Sequence, residues 1–515
     1  MRRPNQKYEN EYGGDTMKTD VLIIGGGVIG ASVAHQLARY NLDIILVEKA
    51  SDVCMGTSKA NSAMIHSGFN IDGDTLKGQL VLAANKVIKQ LCQDLKVDLV
   101  KPLGSITVGF EEADLEKMKK TMANGIKNGI QGMKLLNQIE LHEMEPHLNP
   151  DAKYGLFEPE TGIINPFEYT VALAENAVIN GAKVLLDTEV LDIIIENKTV
   201  TGVKTNKGDI ATKIIINAAG LYADKIAAMV EDIDFEIKPR KGQYFLYDKK
   251  WRDILTYTIY SAPTKVSKGM IVVPTIDGNI LAGSNAEAVE DKTDLRTTAQ
   301  ALDQIYTSAI SHLFPELPRM GDVITTFTGL RASSTNEDFI IESAKTVTGF
   351  INAAGIQSPG LTSAPAIAAM IEGLVRAENR DLDFSPKANY EKGRQAPVQL
   401  SDLSYEERTA LIEENPDYGE IICRCESISK GEIMDAIHRP IPATNMDAIK
   451  RRVRAGMGRC QGGFCGPKVL GILSKELGIS PLEVTQKGSA SFVLTSKNKE
   501  LSLEEGDRNY EKIRV

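Results

Sequence analysis

Residues 20–49 read DVLIIGGGVIGASVAHQLARYNLDIILVEK, and this stretch decides the architecture. Asp20-Val21-Leu22-Ile23-Ile24 is an almost unbroken apolar run with β-branched side chains, the composition of a parallel strand buried on both faces. From Val28 to Tyr40, the apolar residues Ile29, Val33, Ala34, Leu37 and Ala38 recur at helical spacing and share one face. Ile44-Ile45-Leu46-Val47 reads as a second strand. Gly25, Gly27 and Gly30 form G-x-G-x-x-G between the first strand and the helix. Gly25 permits the tight turn, Gly27 lets the backbone approach a pyrophosphate, and Gly30 lets the helix pack closely on the strand. The first helical residues, Val28 and Ile29, then aim free N–H groups at the phosphates. Glu48 closes the second strand 18 residues after Gly30, where its carboxylate suits ribose hydroxyls and repels a 2′-phosphate. A glycine-rich structural turn would give the same glycines. Strand, helix and acid in place around them make the stretch a dinucleotide site.

The sequence after Glu48 and Lys49 points to FAD rather than NAD. Gly56-Thr57-Ser58-Lys59-Ala60-Asn61-Ser62 is a small, hydroxyl-rich loop able to wrap an extended dinucleotide. Asn217-Ala218-Ala219-Gly220 ends a strand in small residues that let a cofactor approach. Gly355-Ile356-Gln357-Ser358-Pro359-Gly360-Leu361-Thr362 leads into a helix beginning near Thr362, with Pro365 in its first turn. The positive end of that helix would stabilise the negative charge of a reduced flavin.

The chain has 515 residues, 42% hydrophobic and 25% charged, so two or three globular domains are expected. Its formal net charge of -10 argues against non-specific binding to nucleic acid or to an anionic membrane surface. No run approaches the ~20 apolar residues of a membrane span. The polar start contains no signal-peptide core, which makes the expected location cytoplasmic; loose membrane attachment through a partner stays open. Residues 1–18 read as a loose extension, with Met17 as an alternative start. Residues 19–376 read as an α/β unit: a Rossmann-like domain interleaved with a β-rich (α+β) substrate domain at roughly 90–165 and 235–330. A charged, Pro- and Asn-rich linker follows at 377–419, with a short helix around Tyr405 to Glu414. A small helical module spans 420–494, and a polar tail ends the chain.

Cys423-x-Cys425 and Cys460-x4-Cys465 are separated by 34 residues. Four thiolates clustered in this way suit a 2Fe–2S cluster or a tetrahedral zinc. Ser429 and Glu432 form a capping box for a helix through Ile437. A second helix, about Met446 to Ala455, stops at Gly456. The two cysteine pairs flank this helical hairpin, which would bring them together. The basic run Arg451, Arg452, Arg454 could help hold an anionic cluster, but a solvated helix face is the preferred reading.

Taken in order, the glycine fingerprint, the loop through Ala63-Met64-Ile65-His66-Ser67-Gly68, Asn217 to Gly220, Gly329-Leu330-Arg331 and Gly355 to Thr362 resemble the D-amino-acid-oxidase-like flavoproteins. That superfamily includes glycerol-3-phosphate and L-2-hydroxyglutarate dehydrogenases. The resemblance implies FAD bound extended beneath a β-rich substrate domain. It assigns cofactor contacts to Gly25, Gly27, Val28, Ile29, Gly30, Glu48, Lys49, Thr57, Ser58, Asn61, Ser62, Val190, Ala219, Gly220, Gly355, Ile356, Gly360, Leu361 and Thr362. It places His66 near the flavin as the candidate proton acceptor, with a hydrogen-bonded structural histidine as the competing reading. It gives Arg331 to the anionic group of a small substrate. Lys241, Tyr244 and Lys265 are weaker candidates. Ala332 follows Arg331 where many relatives have proline, and Lys59-Ala60-Asn61 stands where several have Gly-Arg-Asn.

Cys423-Arg424-Cys425-Glu426 and the stretch Arg451 to Gly462 resemble the ferredoxin-like module named after bacterioferritin-associated ferredoxin. A similar module ends the large subunit of anaerobic glycerol-3-phosphate dehydrogenases. This makes 2Fe–2S, held by Cys423, Cys425, Cys460 and Cys465, the expected content, with zinc as the alternative. The expected activity is oxidation of sn-glycerol 3-phosphate, with electrons passing to a second redox subunit. L-2-hydroxyglutarate or another 2-hydroxy or amino acid is the alternative substrate, and a non-catalytic electron-transfer subunit is the alternative class.

Overall fold

The computed structural model describes residues 17–262 and 269–497. Lys265 lies outside the described residues, as does most of the expected N-terminal extension and C-terminal tail. Strand β1 (Met17–Ile24) sits inside an eight-stranded sheet. Helix α1 (Val28–Leu37) returns the chain to strand β2 (Ile44–Val47), parallel to β1 with Val21 opposite Ile44. Lys183–Leu185 extends the sheet beyond β2. On the other side of β1 lie the parallel strands Gly208–Asn217 and Phe350–Ala354. The strand that runs into Asn217 thus begins at Gly208. Its first half forms an antiparallel hairpin with Thr199–Thr205. Apolar side chains cover both faces of β1, as its composition requires: Val21 and Ile23 join one core and Leu22 and Ile24 another.

Helix α1 stops at Leu37, short of Tyr40. Tyr40 is held instead by a bridge to Pro386 and by a hydrogen bond from its hydroxyl to Glu372 at 2.9 Å. A second, nine-stranded sheet is built from Ser105–Gly109, Lys134–Leu136, Tyr154–Glu158 and the strands between Ile237 and Ser334. It is antiparallel apart from the pairing of Thr258–Ser261 with Ser105–Gly109. The helix Leu76–Leu95 crosses the expected boundary at 90. Its Leu80, Ile88, Cys92 and Leu95 belong to the core under β1, so the substrate-side segment starts after it.

The expected linker is a strap. Lys387 N–H donates to Arg39 O at 2.9 Å, and Asn176 Nδ2 donates to the carbonyls of Glu391 and Gly393. Arg394 is buried against Glu168 and Glu175, which Arg439 of the last module also binds. Only its second half matches the expectation, with a helix over Tyr405–Glu414 capped by Ser404 and Glu407. The last module packs Lys430–His438, Met446–Val453 and Gly466–Leu477 around its own core, including Ile433, Ile437, Ile449 and Leu473. Ser429 and Glu432 form the predicted capping box. The second helix ends at Arg454, in the left-handed conformation, and not at Gly456. Arg454 is held there by Asp277 at 2.6 Å and Glu426 at 2.8 Å.

Candidate functional site: a dinucleotide cavity and a four-thiol module

A cavity of about 1630 Å³ runs from the end of β1 across to the second sheet. It collects residues far apart in the chain because β1, Gly208–Asn217 and Phe350–Ala354 all end at the same sheet edge. Parallel α/β sheets place ligands beyond the carboxyl ends of their strands. Of the predicted cofactor set, Gly25, Gly27, Val28, Ile29, Glu48, Lys49, Thr57, Ser58, Asn61, Ser62, Val190, Ala219, Gly220, Ile356, Gly360 and Leu361 line it, together with His66 and Arg331. Gly30, Gly355 and Thr362 do not. A Cβ on Gly30 would collide with Gly25 O, so its part is helix-on-strand packing. Gly355 turns the chain at a φ of +65°. Thr362 is fully buried, and its Oγ1 accepts the His66 N–H at 2.9 Å.

The phosphate turn fits a dinucleotide. Gly25 has a φ of +112°, and a Cβ there would strike the Ala218 carbonyl oxygen. Only glycine has both the conformation and the space. Glu48 accepts hydrogen bonds from Gly26 N–H at 2.7 Å and Ala50 N–H at 2.8 Å. Burial pushes its carboxyl above the usual range, and these two N–H groups oppose that. A carboxylate has about four acceptor positions, so two engaged by amides leave room for ribose hydroxyls. One expectation changes: Val28 N–H is not free but donates to Ser58 Oγ at 2.9 Å, so the hydroxyl-rich loop caps α1. Asn61 stiffens the same loop by donating to Ser58 O at 2.8 Å. The helix after Gly355 begins at Gly360, two residues before the expected start, which puts Pro365 beyond its first turn.

At the far wall, Arg331 Nη2 donates to Ser284 Oγ at 2.5 Å and Nη1 donates to Asn285 O at 3.3 Å. The Arg331 fork is therefore positioned by the turn that follows strand Ile280–Gly283. Sequence reasoning missed Ser284 and Asn285; the only local signal was a polar pair closing an apolar strand. His66 Nε2 lies 3.2 Å from Ser358 Oγ. Tyr244 and Tyr260 also line the cavity. Lys241 does not: its buried ammonium pairs with Asp294 at 3.0 Å.

The four predicted cysteines come together as two cross-motif pairs. Cys425 Sγ lies 3.5 Å from Cys460 Sγ, and Cys465 meets Cys423. A Cβ on Gly458 would press on Cys425 Cβ at 2.6 Å, so glycine makes room beside the thiol. The backbone N–H of Phe464, then Cys425 and the N–H groups of Gly462 and Gly463, lower the Cys460 thiol toward thiolate. Four thiols in two pairs suit a two-iron cluster with two thiolates for each iron. Arg451 and Arg452 are not the solvated face expected of them. Both are buried and bind Asp52 of the first domain.

A parallel sheet with a glycine phosphate turn, roofed by an antiparallel sheet that presents an arginine to the same cavity, defines a nucleotide-dependent oxidoreductase. Residues 20–374 match the FAD dependent oxidoreductase family, and the chain belongs to it. Residues 421–475 match the BFD-like [2Fe-2S] binding domain. The cofactors are FAD and a 2Fe–2S cluster. A "Glycerol 3-phosphate dehydrogenase" of Caloramator mitchellensis is 44% identical over 482 residues, covering 93% of this chain and 99% of that protein. A "Glycerol 3-phosphate oxidase" of Mycoplasma pneumoniae is 33% identical, covering 72% of this chain and 97% of that protein. The solved, FAD-bound L-alpha-glycerophosphate oxidase of the same organism superposes with a TM-score of 0.70 at 31% identity, covering 75% of this chain and 100% of that one. No helix among the described residues is long and apolar enough to cross a membrane.

Proposed function

We propose that this chain oxidises sn-glycerol 3-phosphate to dihydroxyacetone phosphate and delivers the electrons, through its C-terminal module, to a second redox protein in the cytoplasm. The observation that carries the reading is Arg331, braced by Ser284 and Asn285 on the wall of the cavity that the glycine fingerprint opens. A planar guanidinium held in this way suits a phosphate or a carboxylate equally, and the glycerol 3-phosphate relatives favour the phosphate. The relatives support the substrate, and they differ in a telling way. The one that spans nearly the whole chain is called a dehydrogenase, whereas the one whose match covers 72% of it is called an oxidase. The C-terminal module gives the electrons a route other than oxygen, which suits a dehydrogenase.

In this reading, the cavity residues predicted from sequence hold FAD, with Gly25 and Gly27 at the pyrophosphate and Glu48 at a ribose. Gly30 and Thr362 act through packing and through the His66 loop. Bound flavin supplies the hydride acceptor. Arg331 anchors the phosphate and so fixes the carbinol carbon for transfer. As the carbon–hydrogen bond gives up a hydride, His66 Nε2 takes the hydroxyl proton, and the oxygen becomes a carbonyl. Ser358 Oγ stands 3.2 Å from the same Nε2, in the position the substrate hydroxyl would take, and Thr362 and Asn85 fix the His66 backbone. The catalytic unit ends near residue 376 and the cluster unit begins near 420.

Anaerobic mixing of the purified protein with glycerol 3-phosphate tests the reading. Loss of flavin absorbance within the mixing experiment is expected. Bleaching by L-2-hydroxyglutarate but not by glycerol 3-phosphate would move the substrate to the 2-hydroxy acids. Bleaching by neither, with reduction only by a partner protein, would make the chain an electron-transfer subunit.

A further inference from the structure

The cluster module shows one face with a charge opposite to that of the whole chain. The chain carries a net -10, yet around the exposed Cys460 stand Arg424, Phe464 and Lys468, all exposed. Phe464 keeps 42% of its surface in water. The Arg424 guanidinium sits 4.5 Å from its ring centroid and the Lys468 ammonium 5.3 Å. Lys468, Gly471, Ile472 and Lys475 then follow one another along the outer face of the helix Gly466–Leu477, whose inner face buries Val469, Leu470, Leu473 and Leu477. This face borders a shallow groove of about 270 Å³ that also contains Glu420 and Lys430. Lys430 is paired with Asp417 at 2.8 Å. Among the described residues, Arg424, Lys468 and Lys475 are in no ion pair, whereas the neighbouring Arg451, Arg452, Arg454 and Arg459 all are. A half-exposed aromatic ringed by unpaired cations is the composition of a recognition surface rather than of an ordinary solvated helix.

From this we infer that the Arg424–Phe464–Lys468–Lys475 face docks an acidic one-electron carrier protein. The inference rests on the proposed exit of electrons through this module. Oxidation of one carbinol releases two electrons and two protons, so two carrier molecules are reduced per substrate and the protons pass to solvent. Charge complementarity favours an acidic partner: the chain as a whole carries -10, whereas this face offers three cations in no ion pair among the described residues, beside the most exposed of the four thiols. A lipid surface fits less well, because the face offers one phenylalanine and a half-buried isoleucine, too little apolar area to enter a headgroup layer. The bare Gly471, where a Cβ would meet nothing, leaves the helix face open to close approach.

Binding of the full holoprotein to an acidic flavodoxin, measured by titration calorimetry, tests the assignment. The dissociation constant should weaken about tenfold as salt rises from roughly 50 to 300 mM, since rim charges are screened over about a Debye length. The Lys468→Glu/Lys475→Glu double variant should bind about tenfold more weakly at low salt and should gain affinity for a basic cytochrome c. Phe464→Ser should weaken flavodoxin binding independently of charge, with the visible spectra of both variants showing that fold and cofactors are intact. An unchanged dissociation constant in both variants overturns the docking face. So does a double variant that loses binding to phosphatidylglycerol vesicles while binding flavodoxin normally. In the parent protein, failure of substrate to reduce the cluster would overturn the electron-exit reading itself, and this inference with it. Cluster reduction with unaltered flavodoxin binding would remove the docking face alone.

Discussion

Asp52 and Arg452 meet in a two-pronged ion pair across the boundary between the first domain and the cluster module. Arg452 Nη1 donates to Asp52 Oδ2 at 2.7 Å and Nη2 to Oδ1 at 2.9 Å, and both side chains are shut off from water. Arg451 adds a third bond to Oδ2 at 2.5 Å. Burial alone would push the Asp52 carboxyl up; the Arg452 and Arg451 guanidiniums outweigh it and hold the group below the usual range. Two residues on, Cys54 N–H donates to Gly26 O at 2.9 Å, so the short loop carrying Asp52 ties the phosphate turn to the cluster module.

Asp52→Asn should therefore cost about 3–5 kcal/mol, because it leaves the buried Arg452 guanidinium without a countercharge and Arg451 with Asp447 alone. Thermal unfolding of the holoprotein checks this. Replacing the whole triad by apolar residues, Asp52→Leu with Arg451→Met and Arg452→Met, should recover most of the loss. A triple variant as unstable as the single one would show that the pair is not the source.

Gly25→Ala should abolish tight FAD binding while the cluster module keeps its colour. The left-handed φ and the Ala218 carbonyl both oppose the methyl group, and the turn must shift where the pyrophosphate approaches. The flavin content of the purified variant measures this; a full complement of FAD would contradict the assigned turn.

Arg331→Ala should raise KM for glycerol 3-phosphate by about 10–100-fold, the loss of one charged hydrogen bond at roughly 1.5–3 kcal/mol. Arg331→Lys should recover only part, since an ammonium cannot hold Ser284 and a phosphate as a fork does. Steady-state kinetics with the flavin spectrum unchanged would support the role. An unaltered KM would place the phosphate elsewhere.

His35, buried in α1 with its Nδ1 2.8 Å from Asn176 Oδ1, should make the fold acid-sensitive. Burial, aided by Arg39, lowers its pKa from 6.5 to about 4. The unfolded chain binds the proton first, so the stability present above about pH 6.5 is lost as pH falls to about 4, by roughly 3 kcal/mol in all. Denaturant titrations at pH 7 and pH 4.5 should show a smaller difference for His35→Gln than for the parent. Equal differences would exclude this histidine as a source.

Much of the site was legible because its chemistry is local. The spacing of Gly25, Gly27 and Gly30 against an apolar strand, an amphipathic helix and Glu48 specifies a phosphate turn, since each glycine answers a steric demand from its own neighbours. The capping box of Ser429 with Glu432 and the pairing of C-x-C with C-x4-C were likewise contained in a few residues. FAD and the two-sheet architecture follow from such patterns, whereas the choice of 2Fe–2S over zinc comes from the resemblance of the last module to a known family. Gly30, Gly355 and Thr362 share the motifs of the predicted set but do not line the cavity; strand and helix ends decide which side of a turn faces inward.

What the tertiary structure alone decided are the contacts between distant segments. Arg451 and Arg452 have the letters of a solvated helix, and nothing near them in sequence announces that Asp52, some 400 positions away, will desolvate both. Arg394 makes a strap of an apparent linker through Glu168 and Glu175 in the same manner. A sequence carries backbone conformation and hydrophobic periodicity in short windows, where neighbouring residues supply the forces. Which buried charge finds which partner depends on how whole domains pack, because the cost of taking each ion out of water is met only by a counter-ion delivered from elsewhere in the chain.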